Sequence, residues 1–147
     1  MTDEQLFATF YVDGAYYGVN ALDVQEVLRF QPMTRVPLSS PEVSGLINLR
    51  GQIVTAIDLR VRLGIPPLED GRDPMNVVVR TDEGPVSLLA DEIGDVIEVP
   101  VADLEPPPAT VSAFEREVIS GIHSLEDQLL LILDVDRIAA PAEVLAD

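Results

Sequence analysis

Asp91, Glu92 and Asp95 are the residues whose types and spacing come nearest to a chemical site, because clustered carboxylates supply the oxygen ligands that a hard divalent cation takes. As a catalytic set they would belong to a small acidic metal-dependent hydrolase. Their spacing is not that of an EF-hand loop, and with Asp+Glu 26 against Lys+Arg 9 carboxylates cluster by chance. His123 is the single histidine, and the absence of cysteine excludes a zinc site of Cys and His type. It lies in a strand-like run, so a hydrogen-bonded or exposed strand histidine is the reading preferred over a general base. Asp134 and Asp136 share a side only if that strand continues; an N-cap role for Asp134 at a final helix is simpler. Asp58-Leu59-Arg60 reads as a helix cap followed by a solvated arginine. No glycine-rich phosphate loop or nucleophile elbow occurs. Such a chain offers surfaces rather than chemistry, and no catalytic residue, metal ligand or cofactor is assigned.

The elements that would carry those surfaces must be packed by one core. The 147 residues, 47% hydrophobic with mean hydropathy +0.22, suit a single compact domain over 1–147. A net charge of -17 repels phosphate backbones and anionic lipid, which argues against nucleic-acid partners. The acidity itself reads as solubility or adaptation to high salt. Lack of cysteine fits a reducing cytoplasm, and the acidic start Met1-Thr2-Asp3-Glu4-Gln5 is unlike a signal peptide. No apolar run approaches the ~20 residues of a membrane span, so direct membrane insertion is not expected.

Most of the chain reads as short strands. Leu6 to Val12 and Ala15 to Val19 flank Asp13-Gly14, a type I′ hairpin turn. Asn20 caps a short turn, with an extended run from Val27 to Val36 beyond it, and Ser40-Pro41-Glu42 starts another helical turn. Gly45 to Leu49 and Gln52 to Ile57 form a hairpin with Arg50-Gly51 at its tip. Residues 65–74, with three prolines and Gly71, read as a linker. Beyond it come Asn76 to Thr81 and Pro85 to Ala90 around Asp82-Glu83-Gly84, and Ile93 to Val99. Pro106-Pro107-Pro108 reads as a crossover loop, followed by strands Glu117 to Leu125 and Leu129 to Leu133 and a helix through Val135 to Ala140. The halves are alike: Gly45-Leu46, Leu49, Gln52-Ile53-Val54 and Ile57-Asp58 recur in character as Gly121-Ile122, Leu125, Gln128-Leu129-Leu130 and Leu133-Asp134. Val24-Gln25-Glu26-Val27 likewise matches Val96-Ile97-Glu98-Val99. This predicts an all-β fold of two related units, lobes 6–64 and 75–140, either as two small barrels along an apolar seam or as one larger sandwich. The paired motifs should occupy equivalent strands related by a pseudo-twofold rotation, apart from any swapped strand.

Asn48-Leu49-Arg50-Gly51 followed by Ile57-Asp58-Leu59-Arg60-Val61-Arg62-Leu63-Gly64 resembles the signature of the CheW family of chemotaxis adaptors, and the resemblance runs from about Leu6 to Ala140. Thr55 stands where the family often carries proline. The resemblance implies two five-stranded SH3-like barrels with a groove between them and a short C-terminal helix. It also implies a non-enzymatic adaptor, with a CheA-type histidine kinase regulatory domain and the cytoplasmic tip of methyl-accepting chemoreceptors as partners. Its place would be cytoplasmic, at membrane-associated arrays; service in another chemosensory pathway, such as twitching motility, is the variant reading. Transferred by position, Glu26, Val27, Arg50, Ile53, Ile93 and Val96 fall on the receptor-binding region, and Ala8, Ala21, Val24 and Val27 on the kinase-binding strip. Without the family, Arg50 is a solvated turn residue, and Val24 and Val27 are core positions. Glu26 and Arg50, opposite in charge, are expected to pair.

Overall fold

The structure, a computed structural model, describes residues 3–37, 41–67 and 72–139. Ten strands build two five-stranded sheets. The first has the order β8-β1-β2-β10-β9, from β1 (Glu4–Val12), β2 (Ala15–Asn20), β8 (Glu92–Pro100), β9 (Ile119–Ser124) and β10 (Leu129–Leu133). The second has the order β3-β6-β7-β5-β4, from β3 (Val24–Leu28), β4 (Val43–Leu49), β5 (Gln52–Asp58), β6 (Met75–Thr81) and β7 (Gly84–Ala90). Helices are short: α1 (Leu59–Arg62), α2 (Ala113–Val118) and α3 (135–139). The fold is therefore mainly β, as expected. Among the described residues neither sheet closes by strand pairing of its outer members; the chain leaving β3 meets β4 at the Thr34–Leu46 bridge, and the chain leaving β8 meets β9 at Glu105–Ile122.

The sheets show what the linear reading of two lobes lacked. The halves 6–64 and 75–140 do repeat, but each gives its first hairpin to the other's sheet. β1–β2 lies between β8 and β10, and β6–β7 lies between β3 and β5. The cause is apolar patterning. Phe10, Val12, Tyr17 and Val19 enter one core while Phe7 and Tyr16 enter another, so this hairpin is buried on both faces and needs strands on both flanks. β6–β7 behaves alike, with Val77, Val79, Val86 and Leu88 on one face and Val78 and Leu89 on the other. The strands before and after residues 65–74, β5 and β6, both belong to the second sheet, and the chain passes between sheets at the turn Ala21–Asp23 and again at Asp91.

Register fixes the equivalence residue by residue. Both central hairpins enclose two turn residues, and β10 runs parallel to β2 as β5 runs parallel to β7. The Gly45–Ile57 and Gly121–Leu133 motifs thus take equivalent positions, down to the bridges at Leu46 and Ile122. A Cβ on Gly45 would stand 2.8 Å from the Thr34 carbonyl oxygen, too close for any side chain without a backbone shift, and one on Gly121 3.2 Å from that of Glu105, a tight approach. The match of Val24–Val27 with Val96–Val99 is corrected by three residues. Val24 opposes Val79 and Ile93 opposes Phe10, while Val27 opposes Val77 and Val96 opposes Ala8, so Val24 answers to Ile93 and Val27 to Val96. Both pairs carry an irregularity at the corresponding place, so the equivalence holds through it.

Local chemistry accounts for the turns and caps. Asp13 and Gly14 (φ 53 and 79) and Arg50 and Gly51 (φ 52 and 87) take the positive angles of type I′ turns. Asp58 caps α1 through the Arg60 N–H, and Asp134 caps α3 through the N–H groups of Asp136 and Arg137. Ser40 lies outside the described residues, and Pro41 and Glu42 form a turn ahead of β4 rather than a helix. β3 ends at Leu28, short of the expected extension to Val36. Residues read as the start of a strand at Glu117 belong instead to α2, whose N-cap Ser112 accepts the Glu115 N–H at 3.1 Å and donates its hydroxyl to the Glu115 carboxylate. Three cores result: one inside each sheet, and a larger one filling the seam between them with residues of both, including Ile57, Leu59, Leu133 and Val135.

Candidate functional site

Seam packing decides which apolar side chains remain for a partner. Directly opposed residues of antiparallel strands share a face. Val27, opposite the buried Val77, and Val96, opposite the half-buried Ala8, therefore lie on the seam sides of β3 and β8. Ile53, four residues before the seam residue Ile57 on β5, shares its face. All three escape the core: Val27 is 42% exposed, Ile53 59% and Val96 59%. Ile93 and Val24 are half-buried against the seam core. These apolar residues thus form an exposed margin to a seam whose interior is filled.

Glu26 and Arg50 meet in an ion pair that joins β3 to the tip of the β4–β5 hairpin, the two outer members of the second sheet. Arg50 is largely exposed while Glu26 is mostly covered, so the carboxylate orients the guanidinium and leaves donors free to face solvent. Asn48 supports the turn by accepting the Gly51 N–H at 2.9 Å. The expected receptor-contact residues of the second sheet, Glu26, Val27, Arg50 and Ile53, are in this way brought to one end of one sheet. Ile93 and Val96 belong to the first. Of the kinase strip, Val24 and Val27 lie on β3 and Ala21 in the crossing turn, whereas Ala8 sits in the first sheet beside Val96. Val24 has a packing role whatever it binds.

The candidate metal ligands do not assemble. Asp91 accepts from Arg60 Nε at 3.0 Å and Nη2 at 2.6 Å, and from the Asp13 N–H at 2.7 Å. Burial pushes its carboxyl up, but the Arg60 hydrogen bonds, the Asp13 N–H and the nearby cations outweigh it and hold the group below the usual range. Arg60 is not the solvated residue expected: its side chain is 12% exposed. This pair, 31 residues apart, left no sequence signal. Among the described residues no group of His, Cys, Asp and Glu could hold a metal ion. His123 lies in β9, and its Nδ1 is buried without a hydrogen-bond partner among the described residues. Arg62, missed in the sequence, ties α1 to the other half through Glu117 at 3.0 Å and the Arg137 carbonyl oxygen at 3.3 Å. Another acidic grouping, Asp23 with Asp134 and Asp136, lines a recess of about 280 Å³. There burial first, then the charges of Asp136 and Asp134, push the Asp23 carboxyl up despite Arg80.

Paired β lobes sharing one core, with an apolar margin and an oriented arginine at one end, define a binding scaffold. The CheW-like domain matches residues 6–143, so the chain belongs to that family, whose members are chemotaxis scaffolds and not enzymes. It is 33% identical to "Chemotaxis protein CheW" of Bacillus subtilis (strain 168), over 88% of this chain and 83% of that protein. It is 30% identical to the protein of the same name from Rhizobium meliloti (strain 1021), again over 88% and 83%. The fold is similar to the crystal structure of scaffolding protein TtCheW from Thermoanaerobacter tengcongensis, with TM-score 0.82, 27% identity, and 94% of this chain and 92% of that one covered. Among the described residues no helix is long and apolar enough to cross a membrane.

Proposed function

We propose that the protein couples a CheA-type histidine kinase to the cytoplasmic tips of methyl-accepting chemoreceptors and is recruited through them to membrane-associated arrays. The observation that carries this reading is the Glu26–Arg50 pair, which joins β3 to the β4–β5 hairpin, the strands that also expose Val27 and Ile53. A receptor tip is a helical hairpin, and an apolar margin with a charged end suits a helix laid along it, with Ile93 and Val96 as the first sheet's share. The kinase regulatory domain takes the face of β3, where Val24 and Val27 are the apolar contacts and Ala8 and Ala21 flank them.

Arg50→Ala is the test on the receptor side. It should keep the fold and binding to the kinase regulatory domain while impairing receptor binding and chemotactic signalling; normal signalling at matched protein levels would return Arg50 to an ordinary turn residue. On the kinase side Val27→Glu is the probe, because Val27 is more exposed than Val24. Burying an unpaired carboxylate should weaken binding by about 2–5 kcal/mol with the fold retained. Unchanged affinity for the regulatory domain would remove Val27 from that interface.

A further inference from the structure

All nine cationic side chains of this chain are arginines; it has no lysine, and they face 26 aspartates and glutamates. Ion pairs among the described residues engage six of those carboxylates, Asp13, Glu26, Asp91, Glu92, Glu117 and Asp134. Folding also sets carboxylates against one another. Glu98 on β8 opposes Leu6 on β1 and so lies diagonal to Glu4, where its hydrogen bond first and then its charge push the exposed Glu4 carboxyl up. Asp23 in the crossing turn meets Asp134 and Asp136, at the start of α3, in the recess of about 280 Å³, with Arg80 as the opposing charge.

We infer that this fold depends on concentrated monovalent salt: dissolved cations supply the counter-charge that the sequence omits, and the protein works in an interior of roughly molar ionic strength. Both groupings join residues from distant parts of the chain, which the unfolded state holds apart, so their repulsion acts on the folded state alone. At about 0.1 M salt the Debye length is about 10 Å, long enough to add repulsion from one carboxylate group to the next; at about 1 M it is about 3 Å, and only groups in contact still repel. Screening weakens attractions too, but few ion pairs stand against many unpaired carboxylates. The arginine-only cation set suits such a medium. A guanidinium forms short bidentate contacts, as Arg60 does to Asp91 through Nε and Nη2, and these outlast screening better than the point charge of an exposed ammonium. Long-range steering of partners is lost in such salt, which leaves recognition to contact surfaces such as the margin of Val27, Ile53 and Val96. The inference holds whatever that margin binds.

Urea unfolding of the full chain in KCl tests this. The wild-type midpoint should rise about twofold between about 0.1 and about 1 M KCl, and a chain unfolded at the low end and folded by KCl alone meets the expectation in its strongest form. The double variant Asp23→Asn, Glu98→Gln removes one charge from each grouping. It should unfold at higher urea than the wild type at the low-salt end, and KCl should shrink that gap to less than about half, because screening does for the wild type what the amides do for the variant. Sucrose, which favours burial without screening, should raise both chains alike and leave the gap unchanged. A wild-type midpoint that is flat or falls with KCl, or a gap that KCl leaves as wide as sucrose does, would overturn the inference. Should the double variant misfold, Glu98→Gln alone, altered only at an exposed strand position, carries the same comparison.

Discussion

The chain passes between its sheets twice, and the two passages treat a carboxylate in opposite ways. At Asp91 a guanidinium and a backbone N–H receive it, and its proton affinity falls. Asp23, on the other passage, sits where burial and two further carboxylates raise its proton affinity. Yet the hairpin tips near them are tied alike: the Asp13 N–H reaches Asp91, and the Asp82 N–H reaches Asp136 on α3 at 2.9 Å. Duplication therefore preserved where strands, turns and ties fall, while the charges placed on that frame diverged.

Equivalent core positions should respond alike. Ile57→Ala and Leu133→Ala, both in the seam core, should each cost about 2–5 kcal/mol, in one cooperative urea transition seen by circular dichroism and fluorescence together. Two separated transitions would break the picture of a shared core. Polar ties should differ more. Arg60→Leu strands Asp91 and should cost about 1–3 kcal/mol, less than for a fully buried pair, whereas Asp136→Ala removes one exposed acceptor and should cost about 1 kcal/mol or less. The pH dependence has a definite sign. Asp91 has a depressed folded value, so its contribution is present above the ordinary carboxylate value of about 3.9 and is lost as pH falls through the folded value; the gap between wild type and Arg60→Leu in thermal melts should narrow there.

Smaller effects come from the sheet ends. Arg50→Ala should change stability by about 0–1 kcal/mol, and Glu126→Ala, at the corresponding hairpin tip where no ion pair forms among the described residues, by less still. Asp23→Asn should raise the melting temperature slightly at neutral pH. Because the folded value of Asp23 is raised, that gain should fade as pH falls through it and vanish below the ordinary carboxylate value; a gain independent of pH would sever Asp23 from Asp134 and Asp136.

What was legible in the sequence was local. Asp13-Gly14 and Arg50-Gly51 announced their turns, Asp58 and Asp134 their caps, and the repeated glycines and apolar runs placed equivalent strands in equivalent sheets. The Glu26–Arg50 contact followed from opposite charge and the family resemblance. Hairpin exchange was not legible, because a doubly apolar hairpin specifies that it must be central but not whose strands flank it. The slip of β3 against β8 arose because V-x-E-V recurs three residues beyond the structurally equivalent position, and composition alone does not show which offset the strands use. Ser112 and Glu115 carried a readable capping signal that the strand-like run after them obscured. The Arg60–Asp91 pair depends on where a crossing lands, which no local pattern encodes.

The placement of β1–β2 also has a consequence during synthesis. This hairpin leaves the ribosome before the other eight strands described, but the strands that flank it are complete only when residue 133 has been made. At ~5–20 residues per second the interval is on the order of ten seconds. Meanwhile β3 to β7 can pair as soon as residue 90 emerges, so the sheet encoded in the middle of the chain is the first that can be completed, and two apolar strands must wait beside it. The nascent chain is most exposed to aggregation, and most in need of a holding chaperone, between those two points.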